Sequence, residues 1–254
     1  WKVQALIKVT GFLWGIWFLR KLRGRIENMA RSKNGKESSR GFSVKLKTAK
    51  GRKISSTRWL QRQLNDPYVR SAKVAGYRSR SAWKLVELDD QFKIFWPGCR
   101  ILDLGAAPGG WTQVSVQKSG NKGVVFAVDK LSIDPIPGAK CLKLDMKGEG
   151  SRKLVKNFCG DKVDIVLSDM AAATTGHRQT DHIRTIALCE IAFEIAKEIL
   201  VEGGILIVKV FDGGTETSLL TDLKRSFQKV RHYKPPASRK GSPEIYLIAQ
   251  GFKI

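Results

Sequence analysis

Acidic residues are nearly missing from the first third of this 254-residue chain: positions 1–84 hold Glu27, Glu37 and Asp66 against 22 lysines and arginines. The remaining positions carry 24 basic and 20 acidic residues, so the net charge of +23 divides into +19 in front and +4 behind. A basic front on a near-neutral remainder points to a polyanionic partner, nucleic acid before an anionic membrane surface; a solubilising tail is the plainer alternative. Cysteine is scarce as well. Cys99, Cys141, Cys159 and Cys189 form no CxxC and have no histidine at ligand spacing. They are expected to be free thiols of a reducing compartment, and no metal site is expected. The apolar run Gly11–Leu19 is too short to span a bilayer, is flanked by basic residues and precedes no small-residue cleavage site, so stable membrane insertion is not expected. GxGxxG, GxxxxGK[ST] and the kinase motifs are absent too, which disfavours nicotinamide or flavin cofactors and nucleoside triphosphate hydrolysis.

What is present has a clear order. Residues 1–28 are expected to be either an extension of the reading frame upstream of Met29 or an organelle-targeting or membrane-surface leader. Residues 30–57 mix Lys, Arg, Ser and Gly with few large apolar side chains, the composition of a disordered basic arm. The expected division is therefore a basic N-terminal extension over 1–57 and a folded domain over 58–254. From Arg58 apolar residues recur at helical intervals; Asp66-Pro67 opens one helix, Gly76 closes it, and a second runs from near Ser79 to about Lys93. After Pro97-Gly98 strands and helices alternate. The strands are expected at Arg100–Leu104, Val124–Val128, Lys140–Leu144, Asp164–Leu167 and Ile205–Phe211. The helices fall at Trp111–Lys118, Gly150–Phe158 and Asp181–Leu200, the last stopped by Gly203-Gly204. Repeated strand–helix units predict right-handed crossovers and a parallel sheet. The end differs: a helix over Leu219–Phe227, then strands at Lys229–Lys234 and Glu244–Phe252 joined by a basic loop, which must pair antiparallel.

The stretch Cys99–Trp111, CRILDLGAAPGGW, organises the rest. Ile101, Leu102 and Leu104 make a buried strand around Asp103. Gly105 to Gly110 then form a turn with almost no side-chain bulk, and a helix starts behind it. Such a turn lets the backbone lie against a ligand. In open α/β sheets ligands sit beyond the carboxyl ends of the strands, and here Asp103, Asp129, Asp145 and Asp169 fall at or near those ends. Asp129 stands where an acid grips a ribose diol. A ribose without a pyrophosphate fits a turn that has a proline and no phosphate-binding lysine, and S-adenosylmethionine has that chemistry.

DLGAAPGGW, SDMA, IVKVF and SPEIYLIAQGF together closely resemble the FtsJ/RrmJ (RlmE) family of ribosomal RNA 2′-O-methyltransferases, from about Arg58 to Phe252. The resemblance implies an α/β, Rossmann-like S-adenosylmethionine-dependent methyltransferase fold. Its sheet would be seven-stranded and mostly parallel with one antiparallel strand, with helices on both faces. It also implies methylation of the ribose 2′-hydroxyl of a uridine in large-subunit ribosomal RNA during ribosome maturation, by a cytoplasmic bacterial monomer. A genuine leader would instead place it in the mitochondrial matrix. The family's Lys-Asp-Lys-Glu set maps onto Lys84 in SAWKL, Asp169 in LSDMA, Lys209 in IVKVF and Glu244 in SPEIYL. By the same resemblance the cofactor lies against Gly105, Ala106, Ala107, Pro108, Gly109, Gly110 and Trp111. Asp129 would meet its ribose and Asp145 and Met146 its adenine, with Asp103 and Asp169 completing the set. The chain departs from the family after SDMA, where Ala172-Ala173 replaces the usual Pro-Asn.

Methyl transfer to a weakly nucleophilic hydroxyl needs alignment and removal of the hydroxyl proton. Lys209, as an amine, is the expected base or the group that orients the 2′-oxygen. Phosphate contacts are expected from Arg58, Arg62, Arg70, Lys73, Arg78 and Arg80, and from the Lys234–Lys240 loop with Arg239 and Lys240. A 2′-hydroxyl target selects RNA over DNA. Two other readings use the same residues: the same reaction on tRNA or another RNA, and a catalytically weak RNA-binding assembly factor.

Overall fold

The computed structural model describes Leu46, Gly51 and residues 53–212 and 217–254. The expected leader and most of the basic arm lie outside the described residues. The chain separates after Gly76 into two compact units. The first contains α1 (Ile54–Leu64) and α2 (Pro67–Val74). The boundary expected at 57/58 falls inside α1. Asp66 caps α2, its Oδ1 accepting from the Tyr68 amide at 3.0 Å, with Pro67 in the first helical position where no amide is needed.

The second unit runs α3 (Ala82–Phe92), β1 (Arg100–Leu104), α4 (Gly110–Ser119), β2 (Val124–Asp129), β3 (Ala139–Lys143), α5 (Ser151–Cys159) and β4 (Val163–Ser168). It continues with α6 (Arg178–Ile199), β5 (Leu200–Phe211), α7 (Thr217–Ser226), β6 (Phe227–Tyr233) and β7 (Glu244–Phe252). Among the described residues seven strands form one sheet in the order β3-β2-β1-β4-β5-β7-β6. β3 to β5 are parallel, and β7 enters between β5 and β6 antiparallel to both. The expected mostly parallel sheet with one antiparallel strand is the observed one.

The inner strands β1, β2, β4 and β5 are largely buried on both faces because helices cover both, whereas the edge strands β3 and β6 are largely exposed. Leu102, Leu104, Phe126, Val166, Leu206 and Val208 pack with α5, α6 and α7 residues such as Val155, Ala192, Phe193 and Leu223 in one core cluster. The alternate positions Asp103, Lys209 and Tyr246 are buried on the opposite side, where Thr112 of α4 and Lys84 of α3 meet them. Two local expectations are corrected. α3 begins at Ala82, because Ser79–Ser81 form a tight turn closed by i→i+3 bonds to Ala82, Trp83 and Lys84. Gly203-Gly204 does not end α6: the chain turns extended at Leu200, and both glycines lie inside β5, where its pairing with β4 shifts register. A Cβ on Gly204 would lie 2.9 Å from the Val201 carbonyl oxygen, so the bulge itself requires the glycine.

Candidate active site

The turn after β1 is built to bring backbone close to what it faces. Gly105 has φ +76°, and a Cβ there would lie 2.8 Å from the Met170 Cα and amide nitrogen. The Gly105 and Ala106 amides donate to the Val128 carbonyl at 2.9 and 3.2 Å, and the Ala107 amide donates to Asp129 Oδ2 at 2.9 Å. The Ala107–Pro108 peptide is cis, and Gly109, at φ +112°, opens α4. Beside the turn lies a cavity of about 350 Å³. Carboxylates of Asp129 and Asp145 line it together with the apolar Leu144, Met146, Met170 and Leu188.

Of the expected cofactor residues, Gly105, Asp129, Asp145 and Met146 line this cavity. The other turn residues do not, and neither does Asp103. Asp103 lies fully buried beneath the turn, where its Oδ2 accepts from Thr112 Oγ1 at 2.7 Å and its Oδ1 has no partner. Trp111 is turned into the fold: its indole N–H donates to the Ser81 carbonyl at 2.9 Å, and its ring packs 5.5 Å from that of Tyr246.

Five side chains from four separate segments meet at the carboxyl edge of the sheet. Asp169 follows β4 and Lys209 stands near the end of β5, its parallel neighbour. β7 places Tyr246 opposite Lys209 and Glu244 opposite Phe211, and α3 supplies Lys84. Lys209 Nζ donates to the Asp169 carbonyl oxygen at 2.6 Å and to its Oδ1 at 3.0 Å. Lys84 Nζ pairs with Glu244 Oε1 at 2.5 Å. Between the two pairs stands the Tyr246 hydroxyl, which accepts from Lys84 Nζ at 3.3 Å. The same hydroxyl lies 2.9 Å from Asp169 Oδ1 and 3.2 Å from Glu244 Oε1. Lys84 and Lys209 are each only 7% exposed, and Tyr246 is fully buried. The structure thus brings together all four residues matched to the Lys-Asp-Lys-Glu set.

Charge sets the protonation of the cluster. Burial by itself would raise the Asp169 carboxyl, but the ammonium groups of Lys209 and Lys84, with hydrogen bonds from Lys209 and Tyr246, outweigh it and hold the group below its ordinary range. Burial, reinforced by the Asp169 and Glu244 carboxylates, pushes the Tyr246 phenol well above its ordinary value, so it remains a neutral donor. A second cavity, of about 720 Å³, opens on the cluster and is lined by Lys209 and Glu244 together with Arg178, His182, Phe211 and Pro243. The two cavities share Ala171 and Ala172 as lining.

Tyr246 is the functional residue that sequence reasoning missed. It lies two positions after Glu244 on one strand, and the two-residue period of a strand puts both side chains on the same face. Ser238, whose hydroxyl donates to Glu244 Oε1 at 3.1 Å, carries no comparable signal.

The expected phosphate contacts divide between the units. Arg58, Arg62, Arg70 and Lys73 belong to the first; Arg78, Arg80, Arg239 and Lys240 belong to the second. Arg62, Arg70, Lys73 and Lys240 are exposed. Arg80 Nη2 donates to the Ala237 carbonyl at 2.6 Å, and the Ala237 amide donates to Glu87 Oε2 at 2.6 Å, which fastens the basic loop to α3. Arg78 is exposed too, and its guanidinium also donates to the carbonyl oxygens of Pro108, Asp134 and Pro135.

The FtsJ-like methyltransferase family matches residues 77–252. Ribosomal RNA large subunit methyltransferase E of Rhodospirillum rubrum is 54% identical over 219 residues, covering 85% of this chain and 83% of that one. The protein of the same name from Paramagnetospirillum magneticum is 55% identical over 220 residues, covering 85% and 90%. Among solved structures, a ribosomal RNA methyltransferase from Plasmodium falciparum superposes with a TM-score of 0.62 at 32% identity, over 69% of this chain and 98% of that one.

Proposed function

The chain belongs to the FtsJ-like methyltransferase family, and from there we propose that it methylates the ribose 2′-hydroxyl of a uridine in large-subunit ribosomal RNA, with S-adenosylmethionine as donor. In this reading it acts during ribosome maturation, as a monomer in the bacterial cytoplasm. Among the described residues no helix is long and apolar enough to cross a membrane.

The donor fits the first cavity on two counts. Gly105, lacking a Cβ, packs directly on the Met170 main chain, so the two backbones together close that side of the cavity. Beside Lys130, Lys147 and Arg184, the lining offers apolar surface for a base and the Asp129 and Asp145 carboxylates for hydroxyl and amino donors. Asp129 would hold the ribose, and Asp145 and Met146 would border the adenine. When bound, S-adenosylmethionine supplies an electrophilic methyl group.

The chain's own residues supply the rest. The acceptor ribose would enter the second cavity, which has Ala171 and Ala172 in common with the first as lining. Lys209 Nζ would orient the 2′-oxygen there or, once it has given its own proton to solvent, accept the hydroxyl proton as a neutral amine. Asp169 holds that nitrogen from two of its oxygens, and Tyr246 locks Asp169 in turn. Lys84 and Glu244, paired beside them, would orient the ribose oxygens. Arg58, Arg62, Arg70 and Lys73 of the first unit, and Arg80, Arg239 and the rest of the Lys234–Lys240 loop in the second, would hold phosphates.

The observation that carries this reading is the Lys209–Asp169 contact on the wall of a cavity that shares its lining with the donor cavity. Incubating the protein with methyl-labelled S-adenosylmethionine and large subunits, naked large-subunit RNA or tRNA tests it directly. Label on a uridine ribose of the large-subunit RNA is expected; label confined to tRNA, or none, refutes it. Lys209→Ala should lower transfer by about 100-fold or more while calorimetry still detects donor binding. Wild-type turnover in that variant removes Lys209 from the chemistry.

A further inference from the structure

Arg78 lies exposed at the entry to α3 among residues whose positive charge suggests RNA, and its guanidinium makes three hydrogen bonds to backbone carbonyls. Nη1 donates to the Asp134 carbonyl at 2.7 Å and to the Pro108 carbonyl at 3.2 Å, and Nη2 donates to the Pro135 carbonyl at 2.8 Å. Its own amide donates to Gln113 Oε1 at 2.8 Å, which fixes the Arg78 backbone against the first turns of α4. Three segments are joined by this one residue: the turn that ends at Pro108, the start of α4, and the connection after β2.

That connection continues from Asp129 and Lys130, both of which line the donor cavity. Its far part returns over the turn: a Cβ on Gly109 would meet Ile136 Cδ1 at 2.5 Å and Arg78 Nη1 at 3.1 Å. We infer that Arg78 is a positioning residue for the cofactor turn, its planar guanidinium holding the Pro108 and Asp134–Pro135 backbones at one separation so that the turn and Asp129 meet the donor in a fixed geometry. The inference rests on the reading of that cavity as the S-adenosylmethionine site.

Arginine suits the task because several donors diverge in one plane, whereas a lysine ammonium is a single point that cannot serve three carbonyls on two segments equally. A residue acting on the turn alters the fit of the donor. A phosphate contact alters RNA affinity and its dependence on salt, and a lysine can replace it as a charge.

Arg78→Ala and Arg78→Lys separate the two roles. Both should raise the Kd for S-adenosylmethionine by calorimetry, and its KM, by about tenfold. kcat at saturating donor should change less than KM does, and the slope of log RNA affinity against log salt should stay at the wild-type value. Wild-type donor affinity in either variant overturns the inference. So does a fall of about one in the magnitude of the RNA salt slope for Arg78→Ala that Arg78→Lys restores. Should Arg78→Ala fail to fold, as judged by its melting curve, Arg78→Lys alone decides the matter. If the wild-type protein binds no S-adenosylmethionine in the same calorimeter, the reading of the cavity itself fails, a result unlike equal binding by all three proteins.

Discussion

Asp103 is the residue whose environment differs most from what its position in the chain suggested. A carboxylate at a strand's end looks like a ligand. Here the side chain is sealed, with one oxygen on Thr112 and the other unpartnered. Burial pushes its carboxyl up to about 7; the Thr112 hydroxyl pulls the other way, and the Asp169 and Asp129 charges add to the rise. The folded protein therefore holds this proton more tightly than the unfolded chain does. Stability from that proton is complete below about pH 4, is lost as pH climbs to about 7 and is level above it. Asp103→Asn abolishes this dependence, and at pH 8 the variant should be more stable in urea by up to about 4 kcal/mol. Parallel curves for the two proteins between pH 4 and 8 would contradict the assignment. The Asp169 carboxyl works in the opposite sense, since its lowered value contributes stability that disappears only on acidification through the ordinary carboxylate range and below.

At the scale of elements, the turn between β1 and α4 and the strand β7 do different work. The turn is a backbone device. Gly105→Ala would force an L-residue to φ +76° and drive its methyl against Met170 Cα and N, which are main-chain atoms that cannot swing aside. Strain and overpacking together should cost about 3 kcal/mol. S-adenosylmethionine binding should be lost even at temperatures where circular dichroism reports a folded variant. Near-wild-type affinity in a folded Gly105→Ala protein would mean that the turn does not form the donor wall. β7 acts through register: pairing Lys209 with Tyr246 and Phe211 with Glu244 carries two polar groups to the edge already occupied by Asp169. Most elements were legible from the sequence within a few residues, because apolar period and capping residues are local signals. Gly203-Gly204 misled for the same reason. Alone they read as a helix stop, while the bulge that uses them exists only once β4 lies alongside.

For the whole molecule, charge dominates. A net charge of +23 concentrated in the first third means that association with RNA displaces many counterions. With roughly six phosphates neutralised on single-stranded RNA, log affinity should fall against log salt with a slope of about −4. A filter-binding series between low and physiological salt measures it, and a flat response would exclude a phosphate-led interface. DNA of the same sequence should bind with a similar slope yet accept no methyl group, since it lacks the 2′-hydroxyl.

The sequence by itself determined the strand–helix alternation, the glycine turn with its neighbouring carboxylates, and the four residue types that the site assembles. Each is carried by local pattern or by short motifs. Only the tertiary structure decided what those groups do to one another. Insertion of β7 between β5 and β6 made Tyr246 the link between Asp169, Lys84 and Glu244. Burial withdrew Asp103 from the donor cavity, and three carbonyls drawn from two separate segments engaged the Arg78 guanidinium. The physical reason is common to all three. A hydrogen bond or a desolvated charge depends on which atoms lie within a few ångströms, and residues 30 to 160 positions apart become neighbours only when the sheet closes.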